Sequence, residues 1–370
     1  MIAHSASCFG DEAAIPVTGM QSVSDLNLSN VGNNLGALGG FGINELVPAF
    51  AYLWEASGQN VPRYGIDGNY SGQLWTFQSL SDKNPPQSGL KFSGYGYVET
   101  ACLAVPPVTM ANPLADGFLL EPDLNSNVRS TAIIYLRALS LAPDQPLVIS
   151  HTTSFARFNG VQDDLAIHPA GYAVALNQAN CKLQIVRLAP AVPDADAPVA
   201  TILAGQGTRP GLLYNPIAIA CSLDRILVLQ APSEAYPGGC VVSFDFKGNP
   251  VYGFANNQWV MGLRQEGRSN VQLLDLSVES KGYIYALKYL QPPSGKVLAS
   301  DYRLDIYNPD GSFLTQTAGI AAARVQVDLW RSLYTLNYEI LQGTGHTEPT
   351  VALWLPPAPP QNSTHLRPRR

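Results

Sequence analysis

An all-β ring, a six-bladed β-propeller of four-stranded antiparallel blades, is the fold this sequence predicts. The first observation is a repeat: an apolar strand, a turn, a second apolar strand and a later third one return about every 50–60 residues, a period in the range of solenoids and propellers. The second is the chemistry of the runs, which are β-branched and aromatic and bounded by Gly, Pro, Asn and Asp, as strands are. The third is that no window sustains the 3.6-residue period of a helix. Closing the blades into a ring also leaves only short edges open to other chains.

Taken in order, the first blade is the least defined. Phe50 to Trp54 and Leu74 to Phe77 read as its outer strands, while Asp25-Leu26-Asn27-Leu28 and Asn44-Glu45-Leu46-Val47 compete for its inner strand. The second blade is built from Cys102 to Val105, Phe118 to Leu120 and Ile133 to Leu136. The third places Asp164 to Ile167 before a turn at His168 to Gly171, then Tyr172 to Leu176 and Leu183 to Val186. Blades four, five and six begin at Pro216, Asp275 and Arg324, with second strands at Ile226 to Leu229, Tyr283 to Leu287 and Leu333 to Leu336. Their third strands are Val241 to Phe244, Arg303 to Tyr307 and Val351 to Trp354. Residues 29–42, rich in Gly, Asn and Ser, predict a loop. The organisation is then a loop-rich segment over 1–45 that supplies an inner or ring-closing strand, the propeller over 46–355, and a Pro-rich basic tail over 356–370.

The repeats resemble those of NHL-type six-bladed propellers. Leu165-Ala166-Ile167, Ile217-Ala218-Ile219, the turn Phe246-Lys247-Gly248 and the run Tyr307-Asn308-Pro309-Asp310-Gly311 carry the resemblance, over roughly residues 100–355. One departure is systematic. The Asp that often closes the second strand of such blades is here Asn177, Gln230, Lys288 or Asn337. Propeller lactonases and strictosidine-synthase-like enzymes enter by fold analogy only.

Composition excludes some functions. A net charge of −6 with only 14% charged residues argues against a phosphate-binding face, so no nucleic-acid partner is expected. No apolar run is long enough for a membrane span. The five cysteines, Cys8, Cys102, Cys181, Cys221 and Cys240, are odd in number and lack metal-ligand spacing. They read as free thiols in a reducing compartment, and with no secretory leader visible a cytoplasmic chain is expected.

Chemistry in a propeller belongs at the channel mouth, where the loops enter the inner strands. The strand heads there are Asp25, Cys102, Asp164, Pro216, Asp275 and Arg324, with Asp163 beside Asp164. Asp25, Asp164 and Asp275 would form a Ca²⁺-type oxygen set. Against this, Asp at a strand head commonly caps backbone amides, and Arg324 has Asp275 or Asp25 to pair with. The histidines do not converge, no G-x-S-x-G is present, and no other cofactor is expected. The expected function is therefore a non-catalytic scaffold contacting a protein partner, such as a part of a phage or phage-tail-like particle. Its alternative is a metal-dependent hydrolase or lactonase at the channel mouth.

Overall fold

The structure, a computed structural model, describes residues 157–160, 162–188, 199–267, 270–291 and 298–327, and elsewhere only the strands named below. β1 (Gln21–Asn27) is followed by β2 (Gly40–Ile43) and β3 (Ala51–Trp54), which pair with each other. β4 (Leu103–Ala104), β5 (Gly117–Asp123), β6 (Ser130–Ala138) and β7 (Ile149–Thr152) form an antiparallel sheet, with β8 (Arg157–Asn159) on the near half of β6.

Three four-stranded meanders come next. They are β9 (Asp164–His168) to β10 (Tyr172–Asn177), β11 (Lys182–Arg187) and β12 (Thr201–Ala204); β13 (Pro216–Cys221) to β14 (Ile226–Gln230), β15 (Cys240–Phe244) and β16 (Val260–Gly262); and β17 (Asn270–Val278) to β18 (Ile284–Gln291), β19 (Tyr302–Tyr307) and β20 (Phe313–Ala318). The last sheet holds β21 (Arg324–Val327), β22 (Leu333–Ile340) and β23 (Thr347–Leu355), and β1 completes it by pairing antiparallel with β23.

The first strand of each sheet faces the centre. Contacts run from β2 to β4, β9, β13, β17 and β21 in turn, and from β21 back to β2, so these strands close a ring. The fold is an all-β propeller. Two expectations for the start of the chain change. The inner position is held by β2, drawn from the Gly-rich stretch read as a loop, and not by either proposed strand; Asp25 lies on β1, opposite Ala352 at the outer edge of the last sheet. A strand's ladder needs backbone N–H and C=O groups but no side chains, so Gly40-Phe41-Gly42-Ile43 can pair although its two glycines, typical of loops, carry no side chain to mark it. Leu74 to Phe77 and the 356–370 tail lie outside the described residues.

The core lies between sheets. Val174, Leu176 and Ile185 of the β9 sheet meet Val228, Val242 and Phe244 of the β13 sheet, while Leu227, Leu229 and Val241 on the opposite face meet Leu276, Ile284 and Tyr307. A third cluster joins Leu287, Leu304 and Ile306 to Val325, Val327 and Leu333. Both faces of β14 and β15 are buried. These strands therefore read as unbroken apolar runs rather than as alternating ones, and each buried aliphatic side chain contributes roughly 1.5–3 kcal/mol. One turn fixes a close approach. Gly248 has φ +81°, and a Cβ there would stand 2.3 Å from the Leu203 carbonyl oxygen of the preceding sheet. Only glycine satisfies both demands.

A buried ionic cluster ties the β13 sheet to the β17 sheet. Lys288 on β18 has no exposed side-chain surface and donates to Asp305 Oδ2 at 2.6 Å and to the Arg264 carbonyl at 3.0 Å. The Tyr307 hydroxyl donates to the same Asp305 oxygen (3.1 Å) and accepts the Arg264 N–H (2.8 Å), while the Gln316 amide donates to Asp305 and to Glu266. Glu266 lies 3.4 Å from Lys288 and 3.6 Å from Arg303. Removing one partner strands a charge in a dry interior. Lys288→Met is expected to lower unfolding free energy by about 3–5 kcal/mol, and Lys288→Met with Asp305→Leu to recover part of that loss; urea denaturation of both variants measures it.

Candidate channel-mouth site

An inner strand has a sheet neighbour on one side only, so part of its backbone faces the channel without a ladder partner. The preceding sheets supply acceptors. Asp164 at the head of β9 accepts the Ile219 N–H of β13 through Oδ2 at 2.8 Å, and its own neighbour Leu165 N–H through Oδ1 at 3.1 Å. Asp275 on β17 accepts the Val325 N–H of β21 at 2.7 Å, and two residues on the Ser277 hydroxyl accepts the Val327 N–H at 3.2 Å. The register of β17 against β18 shifts between Leu273 and Asp275, a bulge at the point where Asp275 turns to its neighbour.

Arg324, at the head of β21, joins the two carboxylates. Its Nη1 lies 3.3 Å from Asp275 Oδ1 and 3.7 Å from Asp164 Oδ1. The sheets of β9 and β21 are not neighbours in the ring, so the guanidinium spans the channel. It retains 29% of its side-chain exposure against 15% for Asp164 and 6% for Asp275. Burial pushes Asp164 up to about 6 from the ordinary 3.8, with Arg324 pulling down and the Asp275 charge pushing up again. Asp275 is raised too, first by burial, with Arg324 opposing. Among the described residues two carboxylates share one cation, and burial together with the second carboxylate makes a proton easy to hold on Asp164.

The expected residues therefore divide. Asp164, Asp275 and Arg324 come together at the channel, Asp163 instead accepts the Gln178 N–H at 2.7 Å in the neighbouring turn, and Asp25 stands on the outer edge strand. The Ca²⁺ set of Asp25, Asp164 and Asp275 does not fit this arrangement. One member is elsewhere, and the oxygens of the other two accept backbone amides and face a guanidinium already in the cation's place. A hard cation wanting six to eight oxygens finds no such shell in these residues.

Two features escaped sequence reading. His168 is 1% exposed: Nδ1 accepts the Ala170 N–H at 3.0 Å, capping the turn, and the ring is buried edge-on to Phe246. Burial lowers its pKa to about 4. The residues that close the second strands also keep polar duties in place of the usual Asp, since Asn177 accepts the Asn180 N–H and Gln230 the Tyr214 N–H, both at 2.8 Å. Cys181, Cys221 and Cys240 are free, as their spacing implied, and burial raises Cys240 to about 12.

Comparison with known proteins finds no matching family model and no matching curated protein. Among solved structures, the PQQ-bound aldose sugar dehydrogenase of Streptomyces coelicolor is similar at 12% identity, over 89% of this chain and 98% of that one, with a TM-score of 0.45. A luciferin-regenerating enzyme is similar at 10% identity, over 91% and 95%, with a TM-score of 0.47. Both are enzymes by name, which runs against the expected non-catalytic scaffold, and at these TM-scores neither likeness carries an argument about what this chain does. At this identity the likeness concerns fold, and function rests on the site. No helix among the described residues is long and apolar enough to cross a membrane.

The shifted pair predicts a masked pH dependence. Between about pH 4 and 6 the folded state holds a proton on Asp164 that the unfolded chain has lost, so this group's contribution falls as pH rises; His168 is neutral folded and charged unfolded, so its contribution rises. The two oppose each other. Asp164→Asn is expected to gain stability as pH rises through this window and His168→Asn to lose it, each by on the order of 1–3 kcal/mol, as measured by thermal melts across pH 4–7.

Proposed function

We propose that this chain is a six-bladed, NHL-like propeller enzyme that hydrolyses an ester or lactone at its channel mouth. The observation that carries the reading is Asp164, a part-exposed carboxyl group with a pKa near 6 beside an accessible guanidinium. A general base works best when its pKa lies near the operating pH. A carboxylate at 3.8 is mostly too weak a base for this task, and burial corrects that.

In the proposed step a water molecule adds to the substrate carbonyl carbon while Asp164 takes one of its protons. The carbonyl electron pair moves onto oxygen, where Arg324 N–H groups donate to the developing charge. Collapse of the tetrahedral species breaks the bond to the ester or ring oxygen, which takes the proton back from Asp164. The products are an acid and an alcohol, or one hydroxy acid from a lactone. Asp275 acts through Arg324, holding the guanidinium at 3.3 Å, and is a positioning residue.

The test is hydrolysis of a panel of simple γ- and δ-lactones and p-nitrophenyl esters. Asp164→Asn is expected to lower kcat/KM by about 10²–10⁴-fold with the fold intact, and the wild-type rate to rise with pH through an inflection near 6. Arg324→Lys, which keeps the charge but not the fork of donors, is expected to lower kcat more than it raises KM. Full activity in Asp164→Asn, or no turnover of any member of the panel, overturns the reading.

A further inference from the structure

A second site lies away from the channel, between the β9 and β13 sheets. A cavity of about 570 Å³ opens at the end of the ring where the inner strands begin, walled by the β12–β13 loop on one side and the β14–β15 loop on the other. Its size falls within the range of small-molecule pockets. We propose that it binds an organic cation with an apolar body, such as an alkylated or aromatic amine.

The lining selects that chemistry. Tyr214, Tyr236 and Trp259 offer three aromatic rings, and Glu234 is the one charged residue among the described residues that line the cavity. Ring faces carry negative electrostatic potential and attract ammonium groups, most strongly for Trp. A carboxylate at the rim adds to that attraction. With neither Lys nor Arg in the described lining, an anionic ligand gains nothing there. Leu212, Val242 and Val260 supply apolar wall for the rest of the molecule.

The walls are built in advance. Ser233 N–H donates to the Tyr236 carbonyl at 3.0 Å, the Ser233 hydroxyl accepts the Tyr236 N–H at 3.2 Å, and Gly239 N–H also reaches the Tyr236 carbonyl at 2.8 Å. On the facing loop, Gly207 N–H donates to Leu213 and Leu213 N–H to Gly205, both at 2.8 Å. The buried Gln230 amide accepts the Tyr214 N–H at 2.8 Å and so joins the two loops. Trp259 is held edge-on to Phe244, with ring centres 6.4 Å apart. Little ordering is left to occur on binding, which favours affinity for a small ligand.

The experiment titrates the full chain with phenyltrimethylammonium, followed by calorimetry, beside its neutral isostere tert-butylbenzene and the anion benzoate. Saturable 1:1 binding of the cation is expected, with the isostere at least about fivefold weaker and benzoate not detected. Glu234→Gln, an exposed change that leaves the fold alone, is expected to weaken the cation several-fold, and Trp259→Phe to weaken it further. Asp164→Asn is expected to leave it unchanged. Equal binding of the neutral isostere, an unchanged affinity in both pocket variants, loss of binding in Asp164→Asn, or no binding at all overturns the proposal. The last comparison also separates this pocket from the channel carboxylates.

Discussion

The unpaired inner edge of each blade is the constraint on which the rest of this structure depends. Radial packing leaves only short outer edges for other chains to pair with, but it creates a channel lined by strands with only one neighbour. Backbone N–H groups there need acceptors as much as those in any core. Asp164, Asp275 and Ser277 answer that need for Ile219, Val325 and Val327. The acceptors come from the preceding sheet, so each bond also fixes one blade against the next. Carboxylates stand on the inner strands, Asp164 at a strand head and Asp275 just past a bulge, because of backbone geometry, before any chemistry is considered.

That placement has an electrostatic consequence. Near the axis, Asp164 and Asp275 share the guanidinium of Arg324, so among the described residues two carboxylates face one cation in partly dry surroundings. The cluster around Lys288 is balanced, with Lys288 and Arg303 against Asp305 and Glu266. Glu266 shows the effect: burial pushes its pKa up, yet bonds from Gln316 and Lys288 and the charge of Arg303 bring it below the ordinary value. Asp164 is pushed the other way, to about 6. The balanced cluster is suited to holding sheets together, whereas the unbalanced one can exchange a proton near neutrality. Burial dominates at Asp164, whereas hydrogen bonds and neighbouring charges outweigh it at Glu266, and that difference separates the two clusters.

How far the sequence was readable follows from the same packing. The sheets from β9 onward were legible because β14, β15 and their counterparts are buried on both faces, which writes long apolar runs such as Ile226-Leu227-Val228-Leu229 between turn residues. The first inner strand was not, because Gly40-Phe41-Gly42-Ile43 makes its ladder with backbone alone. Asp164 and Arg324 could be found from their place at strand heads, and Asp275 by the same rule although β17 begins earlier, at Asn270, because its first stretch of ladder precedes the bulge. Asp25 looked the same by that rule and sits on an outer strand, since the rule assumes the inner strand is already known. The Lys288 cluster was hidden for a different reason: its members come from three strands and a loop, and a lysine closing an apolar strand gives no sign of the carboxylate facing it.

The cavity between the β9 and β13 sheets follows from radial geometry as well. Blades that touch at the axis diverge outward, and the widening wedge must be filled by larger side chains or left open. Leu213 and Phe244 are fully buried in the core beside it. On the loop side the chain places Gly207, Ala231, Ser233 and Ala235, side chains too small to fill the gap. The loops cannot collapse into it, because Gln230 holds Tyr214 from one strand end and the Ser233–Tyr236 turn is closed by its own hydrogen bonds. Small residues on rigid loops therefore keep a space that the wedge opens, and the aromatic rings at its margin give that space its preference for positive charge.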